Sequence, residues 1–225
     1  MDYTENIYIS NIIFQNINFE INDSNVNFLC FLSKLYSKSL DYLTDYLENI
    51  DKEKLNSLLN KHDENKMYAI HYLCINKDFN IDYLKLYLKY NNTLSFDDEN
   101  RNLIYYLIKY NNLSTDIIEY LISINYNFYF LDTDVKFTIY HYLANNLNEI
   151  NEYCLDIIFN HVKNDFINKK NLYETAPILI ATRLNNKLIC NKLIDYGCNV
   201  NIKNNNNNTS LMYACMHSNF KLVKK

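Results

Sequence analysis

Two apolar stripes with helical spacing return, in the same order, at intervals of 33 to 41 residues along this chain. Nothing else in the sequence limits the possible folds so tightly. The clearest return has an offset of 33 residues: Ala176 aligns with Thr209, Pro177 with Ser210, Ile178 with Leu211, Ala181 with Ala214, and Ile189 and Cys190 with Leu222 and Val223. Earlier copies open with "NFLCFL" at Asn27, "YAIHYL" at Tyr68, "NLIYYL" at Asn102 and "TIYHYL" at Thr138. Second stripes follow as "YLKLYL" from Tyr83, "IIEYLI" from Ile117 and "CLDIIF" from Cys154. A helix pair of this size cannot bury its apolar face alone, but a stack of them can. The pattern therefore predicts an all-α solenoid of stacked antiparallel helix pairs, about five to six units starting near 27, 68, 102, 138, 176 and 209, the last incomplete. Residues 1–26 read as an N-terminal cap or extension. The drift in spacing is absorbed in loops, where extra length costs little.

The local signals agree. Pro177 suits the first position of a helix, where its missing N–H would have no partner anyway. Ile189, Cys190, Leu193 and Ile194 form one face of the helix that follows, and Gly197 suits the left-handed position just past it. The chain holds one glycine and one proline, so asparagine must occupy most left-handed turns. Asn91 and Asn125 stand where Gly197 stands in the clearest unit. Val162 holds that place in another, and a β-branched residue is poorly suited to it, so a different turn is expected there. Asn204 to Asn208 reads as a turn between units rather than a flexible tract, because the pattern resumes in frame at Thr209.

Taken together, Ala176 to Asn201 resembles an ankyrin repeat nearly position by position. The resemblance implies a close helix contact at Ala181 and its counterpart Ala214, and hydrogen bonds from His71 and His141, which share a register, to the backbone of the next turn. Glu174 stands where the usual turn glycine would be. Leu73, Leu107 and Leu143 replace the small alanine, and the first helices are rich in tyrosine. In this the chain resembles the ankyrin proteins of poxviruses. That likeness implies a viral factor that binds host proteins, modulating host range or antiviral defence, in the cytoplasm of the host cell with the nucleus left open. Many such proteins end in an F-box-like segment that recruits a ubiquitin ligase. No such segment is visible, so an adaptor fragment lacking it is the alternative.

The remaining features argue against other classes. Lys plus Arg total 22 against 26 Asp plus Glu, a formal net charge of −4, with no basic stripe for nucleic acid. No apolar run is long enough to span a bilayer, and "MDYTENIYIS" lacks the features of a signal peptide. The six cysteines, Cys30, Cys74, Cys154, Cys190, Cys198 and Cys215, form no CxxC and suit a reducing compartment. His71 and Cys74 lie one turn apart, but zinc would need further ligands. No metal, cofactor or catalytic residue is expected, and an enzyme with an unrecognised site is the alternative from another class. The expected function is a non-catalytic protein-interaction scaffold. Its partner would meet the turns Asp63 to Lys66, Asp97 to Arg101, Leu131 to Lys136, Lys169 to Glu174 and Lys203 to Asn208. The candidate contact residues are Asp97, Asp98, Arg101, Lys136, Lys170, Glu174 and Lys203. Asp97 to Glu99 read as solvated turn charges rather than a catalytic pair, and Asp97, Asp98 and Arg101 are the best single patch because they combine both charge signs at one tip. Tyr87, Tyr105 and Tyr120 can serve either packing or partner contact. Self-association through Leu222 and Val223 is the competing use of the last unit.

Overall fold

The structure is a computed structural model that describes residues 49, 51–53, 59–63, 65–76, 79–90, 95–148, 150–162, 164–219 and 223. The expected unit at 27, the N-terminal segment, Asn91 and Leu222 lie outside these residues. Helix pairs follow one another: α1 (Ala69–Ile75) with α2 (Ile81–Tyr90), α3 (Leu103–Lys109) with α4 (Thr115–Ser123), α5 (Ile139–Asn145) with α6 (Glu152–His161), and α7 (Pro177–Arg183) with α8 (Lys187–Asp195). Helix α9 (Ser210–Met216) begins a further pair. The described residues contain no strand, only an isolated bridge between His62 and Tyr68.

First helices pack on first helices (α1 on α3, α3 on α5, α5 on α7, α7 on α9), and second helices on second helices (α4 on α6, α6 on α8). The core is therefore a continuous seam between the two rows. Leu84, Leu107, Ile118, Leu143, Leu155, Ala181 and Cys190 are all fully buried in it. Leu73, Leu107 and Leu143 occupy the position that Ala181 and Ala214 fill in the last two units, and all five are buried. The larger side chains belong to the units with tyrosine-rich first helices. Tyr87 and Tyr105 are buried, while Tyr120 is half-buried under the Lys85 ammonium. Two residues depart from the sequence expectation on α8: Ile194, read on the buried stripe, is only half-buried, and Lys192, outside that stripe, is buried. Lys192 bridges to Asp156 at 2.5 Å and Glu152 at 3.1 Å on α6. Desolvation alone would lower its pKa, but hydrogen bonds and charge from those two carboxylates raise it.

Asparagine fastens one unit to the next. The Asn112 amide donates to the carbonyls of Cys74 at 2.8 Å and Asn76 at 3.0 Å, at the end of α1. Asn146 does the same to Ile108 at 2.9 Å, and Asn186 to Asn146 at 2.8 Å. Terminal helix carbonyls lack intrahelical partners, and a buried one without a partner is costly. The asparagine content is thus partly structural. It also supplies left-handed turns: Asn111, Asn125 and Asn185 have φ of 59°, 54° and 54°, beside Gly197 at 81°. The end of α6 differs. Val162 is extended, with φ −81° and ψ 131°, and a 3-10 turn, Asn164–Phe166, follows.

Candidate partner-binding row

Each turn between units is a small closed loop built around one Asx residue: Asp63, Asp97, Asp132, Asn171 and Asn204. The Asp97 backbone N–H donates to the Arg101 carbonyl at 3.0 Å. Its side-chain Oδ1 accepts the N–H groups of Glu99 at 3.0 Å and Arg101 at 2.9 Å. Asp63 holds Asn65 and Met67, Asn171 holds Tyr173 and Thr175, and Asn204 holds Asn206 and Asn208 in the same way. The tract Asn204 to Asn208 is therefore an ordered member of the series. In three turns the second carboxylate oxygen accepts a tyrosine hydroxyl from the following helix: Tyr72 to Asp63, Tyr106 to Asp97 and Tyr142 to Asp132. Burial and these hydrogen bonds push the Tyr106 and Tyr142 phenols well above their usual range. Ile180 takes the tyrosine position of the unit built on Asn171, where no carboxylate waits.

This geometry corrects the reading of Asp97 as a solvated tip charge. Asp97 is only 4% exposed, and its carboxylate is filled by the turn, by Tyr106 and by Arg101 Nε at 2.7 Å. Arg101 is held as well. It pairs with Glu99 and lies over the Tyr105 ring, 4.6 Å from its centroid. Of the three residues expected to form the best patch, only Asp98 is freely exposed.

The turns also join each other. Asp98 N–H donates to the Asn65 carbonyl at 3.3 Å, Thr133 N–H to Glu99 at 2.9 Å, and Leu172 N–H to Val135 at 3.0 Å. Four tips are therefore registered as one row. Along it Asp98, Asp134, Lys170 and Glu174 are exposed and Lys136 is half-exposed, with Lys170 paired to Glu174 at 3.0 Å; Lys203, beside the next turn, is exposed too. Lys66, Lys136 and Glu174 sit in the left-handed region, at φ 53°, 59° and 53°, as do Asn100 and Asn207. Leu172 and Tyr173, 59% and 64% exposed, also stand on this row. The sequence reading placed both within the partner-facing turn Lys169 to Glu174 without singling them out, although two apolar residues between turn-forming positions, outside any helical stripe, were a usable signal.

Behind the row, His71 and His141 brace the turns. In each, Nδ1 accepts a backbone N–H, from Tyr68 at 3.3 Å and Thr138 at 3.1 Å. Nε2 donates to the carbonyl of the next turn, Ser95 and Thr175 respectively, at 3.1 Å. Desolvation lowers both pKa values to about 4, so the rings are neutral. Pro177 opens α7, and a Cβ at Gly197 would meet nothing within 4 Å, so its left-handed backbone is what favours glycine there. His217 is exposed and contacts the Arg183 carbonyl at 2.8 Å.

Little in the described residues suggests chemistry. No group of three or more His, Cys, Asp or Glu side chains stands where it could hold a metal among them. Burial pushes the thiols of Cys154 and Cys190 up to about 12 and Cys198 to about 11. Thiols so disposed behave as small apolar groups rather than nucleophiles. No described helix is long and apolar enough to cross a membrane.

Stacked helix pairs joined through a registered row of turns define an ankyrin-repeat solenoid. Residues 140–225 match the family model of ankyrin repeats in three copies. A chain from the complex of the Bd0816 predatory endopeptidase of Bdellovibrio bacteriovorus with the immunity protein Bd3460 is similar, with 22% identity, TM-score 0.60, and 84% of this chain and 97% of that one covered. The ankyrin repeat domain of Bcl-3, of the IkappaB protein family, is also similar, with 14% identity, TM-score 0.60, and 85% and 86% covered. Both likenesses are of fold. No curated protein matches the chain.

Proposed function

We propose that the protein is a non-catalytic scaffold that captures another protein along its row of turns. The observation that carries this reading is the row itself. A rigid, hydrogen-bonded series of tips exposes Leu172 and Tyr173 among charges of both signs. An exposed aromatic ring ringed by polar groups is the composition of an interface anchor. The contact residues are Asp98, Lys136, Lys170, Glu174 and Lys203 from the sequence reading, joined by Asp134, Leu172 and Tyr173. Asp97 and Arg101 hold the turn in shape. Ankyrin arrays serve as interaction scaffolds, and one similar chain comes from a complex of an endopeptidase with an immunity protein, which supports a protein as the ligand class.

The partner we propose is a host protein met in the cytoplasm of an infected cell, with the chain acting in host range or antiviral defence. Its support is the leucine- and tyrosine-rich first helix, with Leu73, Leu107 and Leu143 in the small-residue position. Capture from host cytosol by the immobilised chain tests the reading. A variant with Asp98→Lys, Lys170→Glu, Tyr173→Ala and Lys203→Glu should lose its captured bands while keeping its thermal midpoint. Capture that persists in this variant would rule out the row.

A further inference from the structure

The irregular end of α6 opens a cleft that the row of turns does not use. Where Asn125 and Gly197 close their helices with a left-handed residue, Val162 runs extended, and the 3-10 turn after it carries Asp165 and Phe166. Phe166 lies face to face with Tyr129 of the preceding unit, 4.3 Å between centroids and 29° between planes. Phe128 meets the His161 ring edge-on at 5.4 Å. Tyr126, Phe128, Val162, Tyr129 and Phe166 line a space of 380 Å³, with Asp165 and His161 at its polar side. Tyr129 remains 37% exposed, and Asp165 is exposed and makes no ion pair with a described residue.

We propose that this cleft receives an arginine side chain from an extended segment of a partner protein. The exposed Tyr129 ring, backed by Phe166, gives a flat π surface for a planar guanidinium. Asp165 supplies the carboxylate, and a charge-assisted, two-pronged hydrogen bond is the strongest pairing it can make. Tyr126, Phe128 and Val162 cover the methylene stem. A lysine ammonium gains less, because it is compact, strongly hydrated and not flat. The equivalent stretch after Gly197 carries Cys198, Val200 and Ile202, with no ring to stack on, so that junction lacks the platform.

The proposal uses none of the tip residues and is tested apart from them. Titrating the labelled protein with a blocked Gly-Arg-Gly peptide should shift amides confined to residues 126–129 and 161–166. Asp165→Asn should weaken that binding by about tenfold. A Gly-citrulline-Gly peptide, which keeps the shape and loses the charge, should leave the amides unmoved. Asp165 is exposed, so Asp165→Asn should retain the wild-type midpoint while losing affinity; Tyr129→Leu should also lose affinity, with some loss of midpoint because it removes the Phe166 stack. Scattered shifts, equal binding of the citrulline or a Gly-Lys-Gly peptide, or an unaffected Asp165→Asn variant would overturn the assignment.

Discussion

The Tyr106 hydroxyl donates to Asp97 Oδ2 at 2.5 Å, tying the first helix of a unit to the turn that precedes it. The same carboxylate closes the turn through two backbone N–H groups and anchors Arg101. Removing it strands several buried donors at once. Asp97→Ala should destabilise the array by roughly 2–4 kcal/mol, whereas Asp98→Ala, one residue along and exposed, should stay within about 0.5 kcal/mol. Asp97→Asn should fall between them, because Asn171 and Asn204 close their own turns. Urea midpoints of the three variants test the contrast, and equal losses for Asp97→Ala and Asp98→Ala would refute it.

Lys136 and Glu174 occupy left-handed backbone that costs a residue with a Cβ roughly 1–2 kcal/mol. Glycine removes that strain but adds entropy to the unfolded chain. Lys136→Gly and Glu174→Gly should each stabilise by about 0.5 kcal/mol net. A rise of a few degrees in thermal midpoint is the expected result. A fall would mean that the Lys170–Glu174 pair, or packing by the Lys136 stem, outweighs the strain.

Gly197 tests the same conformation from the other side. With open space around a Cβ, Gly197→Val should cost about 1–2 kcal/mol through backbone strain alone. Gly197→Asn should cost much less, since Asn125 adopts φ 54° at the matching place. Denaturant midpoints separate the two substitutions, and equal effects would show that strain at this residue does not govern the turn.

The two buried histidines set an acid limit. Their folded pKa of about 4 lies below the ordinary 6.5, so between these values the unfolded chain binds protons that the folded chain does not. Stability is therefore full above the unfolded value and declines as pH falls toward 4, by about 1.4 kcal/mol per pH unit for each ring. His71→Gln and His141→Gln should each flatten the decline by one ring's share, even though each lowers stability near neutral pH. Unfolding free energy measured across this window reads out the slope. A slope unchanged in both variants would show that the rings are not the source.

The repeat, the helix pairs and the left-handed role of Gly197 were legible because they depend on residues near each other in the chain. Apolar spacing, a proline at a helix start and a glycine at a helix end act over one or two turns. The break after Val162 was legible for the same reason. Which charges are free was decided only by the tertiary structure. In the sequence Asp97 and Asp98 are adjacent and alike. Folding turns the first toward Tyr106, nine residues on, and leaves the second in water. Lys192 meets Asp156 across two units, and Tyr129 meets Phe166 across another junction. Those pairings depend on how one helix pair sits on the next, and the apolar pattern that specifies stacking says nothing about which polar groups the stack will bring together.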